Sequence, residues 1–232
     1  MTALAVALGL AGAVVGLAVG AALRRWDYRL DDERNLPVRR PLPWLVPAMA
    51  LVWGLLGWRV GDHAGGLGQP GLLPAYLFFA TLSGALVAID LDVHRLPDVL
   101  QLPAMPVLVV LLAIASLTSG DWWALARAVI AWAVLLVGYF VLVLVSPGAQ
   151  GLGLGDVKLA GVLGLVLGWL GWLPLLIGIY AGFLIGGLVA LVLVLGRRVG
   201  WRSSVAYGPP MIAGAFVGIL LPAHVVTGLI LR

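Results

Sequence analysis

Eight times along this chain an apolar run approaches twenty residues, and that recurrence constrains the fold more than any other feature. A helix rising 1.5 Å per residue needs about 20 residues to cross a hydrocarbon core of roughly 30 Å. Cutting the sequence at charges, prolines and glycine clusters gives spans at 2–23, 43–60, 72–90, 100–118, 122–145, 156–171, 173–196 and 208–230. The sixth is short and rich in glycine. Soluble domains carry about 25% charged residues; this chain carries 10%, against 62% hydrophobic. Its 32 glycines lie largely inside the apolar runs, where small residues let helices approach closely. The expected fold is all-α, a polytopic transmembrane bundle of about eight spans. Residues 1–232 form one membrane-embedded domain, with 24–42 as a short polar loop. The first run has no small-residue cleavage site before its basic flank, so it is expected to be a retained span.

Charge then orients the bundle. The loops after spans one, three, five and seven hold Arg24, Arg25, Arg29, Arg34, Arg39, Arg40, Arg95, Lys158, Arg197, Arg198 and Arg202. The opposite side holds Arg59, Arg127 and Arg232. The positive-inside rule places the first set in the cytoplasm and, with an even span count, both termini outside. The basic residues follow topology, so nucleic acid is not an expected partner. The chain has no cysteine, which excludes disulfides, thiolate metal sites and cysteine nucleophiles. His63 and His224 fall on the outer side, away from any acidic motif.

Against this apolar background two acidic stations stand out, both on the expected cytoplasmic side. The first is "IDLDVHRLPDVLQLP", residues 89–103. Asp90 follows an apolar stretch and belongs on the last turn of the third span. Asp92, His94 and Arg95 read as solvated loop residues. The "LPD" disfavours helix at Leu96, and Asp98 is placed to cap the next helix. The second station is "GLGLGDVKLAG", residues 151–161. Gly151, Gly153 and Gly155 remove side-chain bulk ahead of Asp156, so the backbone can approach another helix or a bound peptide. Asp156 is alternatively a simple helix cap, and Lys158 either snorkels to the interface or balances local carboxylate charge.

Two carboxyls on one side of a bundle, each at a span end, suggest a working pair. Close carboxyls cannot both ionise cheaply, so the pair holds one proton. The ionised member takes a proton from water as it attacks a carbonyl; the protonated member donates to the carbonyl oxygen or leaving amine. Such chemistry needs no metal and no other cofactor.

On these residues the sequence resembles the prepilin peptidases, or type IV leader peptidases, which are polytopic GxGD-type aspartyl proteases. The first motif is similar to the family's Asp followed eight residues later by the Asp of "(I/L)PD", here Asp90, Pro97 and Asp98. The second is similar to its GxGD with a following Lys-Leu, here Gly153, Gly155, Asp156 and Lys158. "AYGPPMIAGAF", residues 206–216, is similar to the aromatic-Gly-Pro opening of the last span, with Gly208 and Pro209. The likeness covers about 75–220. The resemblance implies Asp90 and Asp156 as the catalytic pair. It implies cleavage of the basic leader of a prepilin or pseudopilin, followed by its hydrophobic helix, at the cytoplasmic face of the inner membrane. Many bacterial members have a long first cytoplasmic region with CxxC pairs and a stretch linked to N-methylation of the new terminus. Here the loop "RRWDYRLDDERNLPVRRPLP" is short and free of cysteine, so neither methylation nor S-adenosylmethionine is expected. Its acidic residues Asp27, Asp31, Asp32 and Glu33 either attract the leader or form a solvated face balancing the arginines.

Three competing readings stand beside this one. A carboxylate-based proton or cation transporter would use intramembrane acids and glycine-broken helices, but these charges cluster at one surface. A metal-dependent lipid phosphotransferase would gather Mg²⁺ on Asp90, Asp92 and Asp98, with His94 and Arg95 as the nearby basic groups. A purely structural membrane component is the third.

Overall fold

The structure, a computed structural model, describes residues 2–26, 28–31, 33, 43–61, 66–145, 153–196 and 206–221. Among these residues there are eight α-helices and no strand. The helices are α1 (Thr2–Arg25), α2 (Leu45–Val60), α3 (Leu73–Val93), α4 (Asp98–Ser119), α5 (Trp122–Val145), α6 (Leu154–Leu170), α7 (Trp172–Leu195) and α8 (Gly208–Leu220). Five of them, α1, α3, α4, α5 and α7, are long and apolar enough to cross a membrane; α2 and α8 are shorter apolar helices. The chain is a multi-pass helical membrane protein. Of the sequence-derived features, His63, His224, Gly151, the arginines at 34, 39, 40, 197, 198, 202 and 232, and the part of the last span beyond 221 lie outside the described residues.

The short, glycine-rich α6 is the centre of the bundle. From Asp156 to Trp169 all but Lys158 are buried, so α6 meets protein on every side. By contrast α1, α5 and α7 present outward rows such as Leu10, Val14 and Leu17, or Leu184, Leu188 and Leu191. Lipid tails are as apolar as leucine, so burying such residues does not by itself hold helices together; close van der Waals packing does. Three helix pairs use it: α1 with α2, α5 with α6, and α7 with α8. A β-carbon at Gly164 would stand 2.7 Å from the Ala131 carbonyl oxygen of α5. One at Gly214 would collide with the backbone of Gly178 and Gly182 in α7.

Two arginines fix the ends of the inner helices. Arg127 donates to the carbonyls of Gly168 (2.7 Å) and Trp169 (2.6 Å), capping α6. Arg59 is 3% exposed and donates to Ile219 and Leu221 (both 2.8 Å), capping α8. Cations at helix C-termini satisfy orphan carbonyls and complement the dipole. These are two of the three basic residues that the charge count sets apart from the other eleven.

The third helix runs further than the sequence suggests, through Val93, which carries Asp92 into the helix. It ends at His94, whose left-handed backbone (φ 51°, ψ 40°) lets its N–H donate to the Asp90 carbonyl across 2.9 Å. Left-handed geometry is uncommon for a residue with a β-carbon, though histidine tolerates it better than most. The turn folds Leu96 back over the end of the bundle.

Candidate active site

Asp90 occupies the last turn of α3 and is 4% exposed; Asp156 occupies the first turn of α6 and is 8% exposed. Three polar residues of α3 share a face at seven-residue spacing: Tyr76, Ser83 and Asp90. That face looks at α6, because the Tyr76 hydroxyl donates to the Val166 carbonyl across 3.2 Å.

Each carboxylate is held by a backbone N–H. Gly153 donates to Asp156 Oδ2 at 2.7 Å, and Asp156 N–H donates back to the Gly153 carbonyl at 3.0 Å. This is a capping box in which the main chain replaces the cap side chain that glycine lacks. Gly208, the first residue of α8, donates to Asp90 Oδ2 at 3.0 Å. First-turn N–H groups have no intrahelical partner, and the helix dipole favours negative charge there. Pro209 follows in that turn, where its missing N–H costs nothing. So the two inner helices aim their N-termini at the two acids, with arginines at their far ends.

Leu96 joins the stations. It is 6% exposed, and a β-carbon at Gly155 would lie 3.1 Å from Leu96 Cβ. A β-carbon at Gly208 would lie 3.3 Å from Leu96 Cδ2 and 2.7 Å from Asp90 Oδ2. Glycine is therefore needed at 208 for the helix to come close enough to reach Asp90.

Two expectations for the first motif are corrected. Asp92 is not a solvated loop residue. It is 7% exposed and pairs with Arg29 (Nη2 to Oδ1 2.6 Å, Nε to Oδ2 3.0 Å), while the Tyr28 hydroxyl donates to Oδ2 at 2.8 Å. Arg95 likewise binds Glu33 (3.0 and 3.2 Å) and the Tyr28 carbonyl (2.7 Å). The motif thus clamps Tyr28, Arg29 and Glu33 beside the site; the Arg29 fork and the Tyr28 hydroxyl supply the charge-assisted bonds that a buried carboxylate requires. His94 alone of the three is exposed. Asp98 is not the cap of α4 either. Pro97 holds that position with extended backbone, and Asp98 is the first helical residue. Its carboxylate pairs with Lys158 Nζ at 2.6 Å, tying the first turn of α4 to that of α6. With Asp92 and Asp98 each engaged by a cation, the three acids of the first motif do not converge on one metal position. Of the loop acids, Glu33 is the Arg95 partner, and Asp27 and Asp32 lie outside the described residues.

Leu96 and Tyr207 are not among the expected site residues, although the first stands in the "LPD" element and the second opens the Gly-Pro motif. Tyr207 immediately precedes Gly208 and packs against Phe183 of α7 with ring centroids 6.0 Å apart. Burial, and then the charge of Asp156, push its phenol up to about 12. The aromatic ahead of Gly-Pro was the available signal.

The type IV leader peptidase family matches residues 77–195, a stretch that holds both acidic stations and ends ahead of Tyr207. Among curated relatives, a prepilin leader peptidase/N-methyltransferase of Stutzerimonas stutzeri is 29% identical over 213 residues, covering 84% of this chain and 69% of the relative. One from Pseudomonas putida is 29% identical over 192 residues (81% and 60%), and one from Burkholderia pseudomallei is 32% identical over 207 (84% and 62%). The chain thus spans only about 60–69% of these relatives' lengths. No solved structure matches. A match across about half of the chain, on the segment that carries both buried aspartates, shows that this protein belongs to the type IV leader peptidase family.

Proposed function

We propose that this protein is an inner-membrane aspartyl endopeptidase that removes the basic leader of a prepilin or pseudopilin, with Asp90 and Asp156 as its acid/base pair. The reading rests on one arrangement above all: two buried carboxyls, each fixed by a backbone N–H at the start of an inner helix, with Leu96 packed against both stations. The ionised carboxyl takes a proton from water, and the oxygen bonds to the scissile carbonyl carbon. The other carboxyl gives its proton to the carbonyl oxygen, forming a tetrahedral diol. Collapse re-forms the carbonyl and breaks the C–N bond, with a proton passing to the leaving nitrogen. A basic leader in the cytoplasm and a hydrophobic helix in the bilayer would bring the cleavage point to this end of the bundle. That placement agrees with the positive-inside orientation.

The reading is limited to leader cleavage. Between α1 and α2 the chain carries no cysteine, so the methyl-transfer half of the relatives' name is not carried over. The transporter reading gains no support, since Asp92 is engaged by Arg29 and Asp98 by Lys158.

Purified protein in detergent with a synthetic prepilin provides the test. Asp90→Asn and Asp156→Asn should each abolish leader release while leaving the melting temperature near that of the wild type. Chelators should leave the rate unchanged. Cleavage that persists in either variant would remove the aspartate pair from the reaction.

A further inference from the structure

Outside the carboxyl pair and its backbone donors, the structure holds a few buried polar atoms with no partner among the described residues. One of them is the Tyr207 hydroxyl, on the residue directly before Gly208, whose N–H holds Asp90. A phenol oxygen removed from water without a hydrogen bond is costly, by about 1–3 kcal/mol in proteins. In native proteins such groups mark strain, a catalytic role, or a bound water or ion.

The neighbours of Tyr207 say which partner. Its backbone continues directly into Gly208, whose N–H holds Asp90. Its ring lies against Phe183, which in turn stacks on Tyr139 at 6.0 Å, and a β-carbon at Gly186 would stand 2.9 Å from the ring edge. The ring is therefore fixed by α7, independently of its hydroxyl. The raised phenol noted above keeps the proton on the oxygen, so the group has an O–H to donate. So α8 offers two consecutive groups to the site. One is a spent N–H on the first aspartate, and the other is an unspent O–H in the field of the second.

We infer that the Tyr207 hydroxyl is a substrate-contacting donor, giving its hydrogen bond to the carbonyl oxygen of the peptide bond being cut and holding the negative charge that develops there. The inference rests on the aspartate-pair reading above. A fixed donor aimed at developing charge needs no reorganisation during reaction. Substrate then supplies the acceptor that no described protein group supplies, which directs the strength of the bond to catalysis.

Tyr207→Phe isolates the oxygen, because the ring keeps its packing on Phe183 and Gly186. Steady-state cleavage of the synthetic prepilin should show kcat reduced by about 100- to 1,000-fold with KM within a few fold of wild type. The variant's melting temperature in detergent should match or exceed wild type, since no bond is lost in the free protein. That combination is not expected of a structural role. A kcat within threefold of wild type, or a loss confined to KM, overturns the inference. So does a drop in melting temperature, which would show the hydroxyl to be bonded in the resting state. Asp90→Asn and Asp156→Asn run in parallel separate the two claims. If they are dead and Tyr207→Phe is fully active, the hydroxyl role alone falls. If they are active, the aspartate reading falls and takes this one with it.

Discussion

The backbone N–H of Gly208 reaches Oδ2 of Asp90 across 3.0 Å, although 118 positions of chain separate them. That single bond joins the end of α3 to the start of α8. It exists because position 208 has no side chain: a β-carbon there would stand 2.7 Å from the same carboxylate oxygen.

Gly208→Ala is accordingly expected to act through distance. The added methyl must displace either Asp90 or the first turn of α8, and backbone shifts of this kind cost about 1–3 kcal/mol. Leader cleavage should fall by at least tenfold, with a lower melting temperature. Wild-type kinetics in this variant would show that the 208 contact is dispensable to the site.

Asp92 is set apart from Asp90 by its partner. Arg29 and Asp92 are 12% and 1% exposed in their side chains, so removing one strips the other of a buried, oppositely charged partner. Breaking such pairs costs about 3–5 kcal/mol, much of which returns when both members are neutralised. Arg29→Met and Asp92→Asn should each lower the melting temperature, and the double variant should lie above the sum of the two. Cleavage should survive in Asp92→Asn at temperatures where the protein stays folded. Total loss of activity in a folded Asp92→Asn would instead place that carboxyl in the chemistry.

The same clamp carries a pH signature. Burial first, and then the hydrogen bond to Asp92, push the Tyr28 phenol up to about 12 from its ordinary 10.0. A phenol raised on folding stabilises the clamp fully below pH 10, and that contribution fades as pH rises from 10 through about 12. The ultraviolet difference between wild type and Tyr28→Phe should therefore show tyrosinate appearing near pH 12. Ionisation near 10 would mean that the phenol is not held by Asp92 in solution.

Much of this was legible in the order of residues. Apolar runs of bilayer length, broken by arginines and prolines, located seven helices to within a few residues and the start of the eighth, because a backbone in lipid has to satisfy its own hydrogen bonds. Glycine spacing marked the close-packed helices, and the Asp90 and Asp156 motifs marked the stations. Where the sequence failed, the cause was distance along the chain. Asp92 reads as loop because its partners, Tyr28 and Arg29, lie more than sixty positions away. Asp98 reads as a cap because Lys158, which pairs with it, sits in another helix.

The chain's own chemistry, then, determined that it would be a helical membrane protein with two acidic motifs, since hydropathy and helix period are local properties. Only the tertiary structure decided that α6 would be enclosed and that α6 and α8 would both begin at Leu96. It also decided that the Tyr207 hydroxyl, beside the glycine that holds Asp90, would be left without a partner among the described residues. These outcomes depend on which glycine faces lie against which helices, and close packing between distant segments has no signature in the segments taken singly.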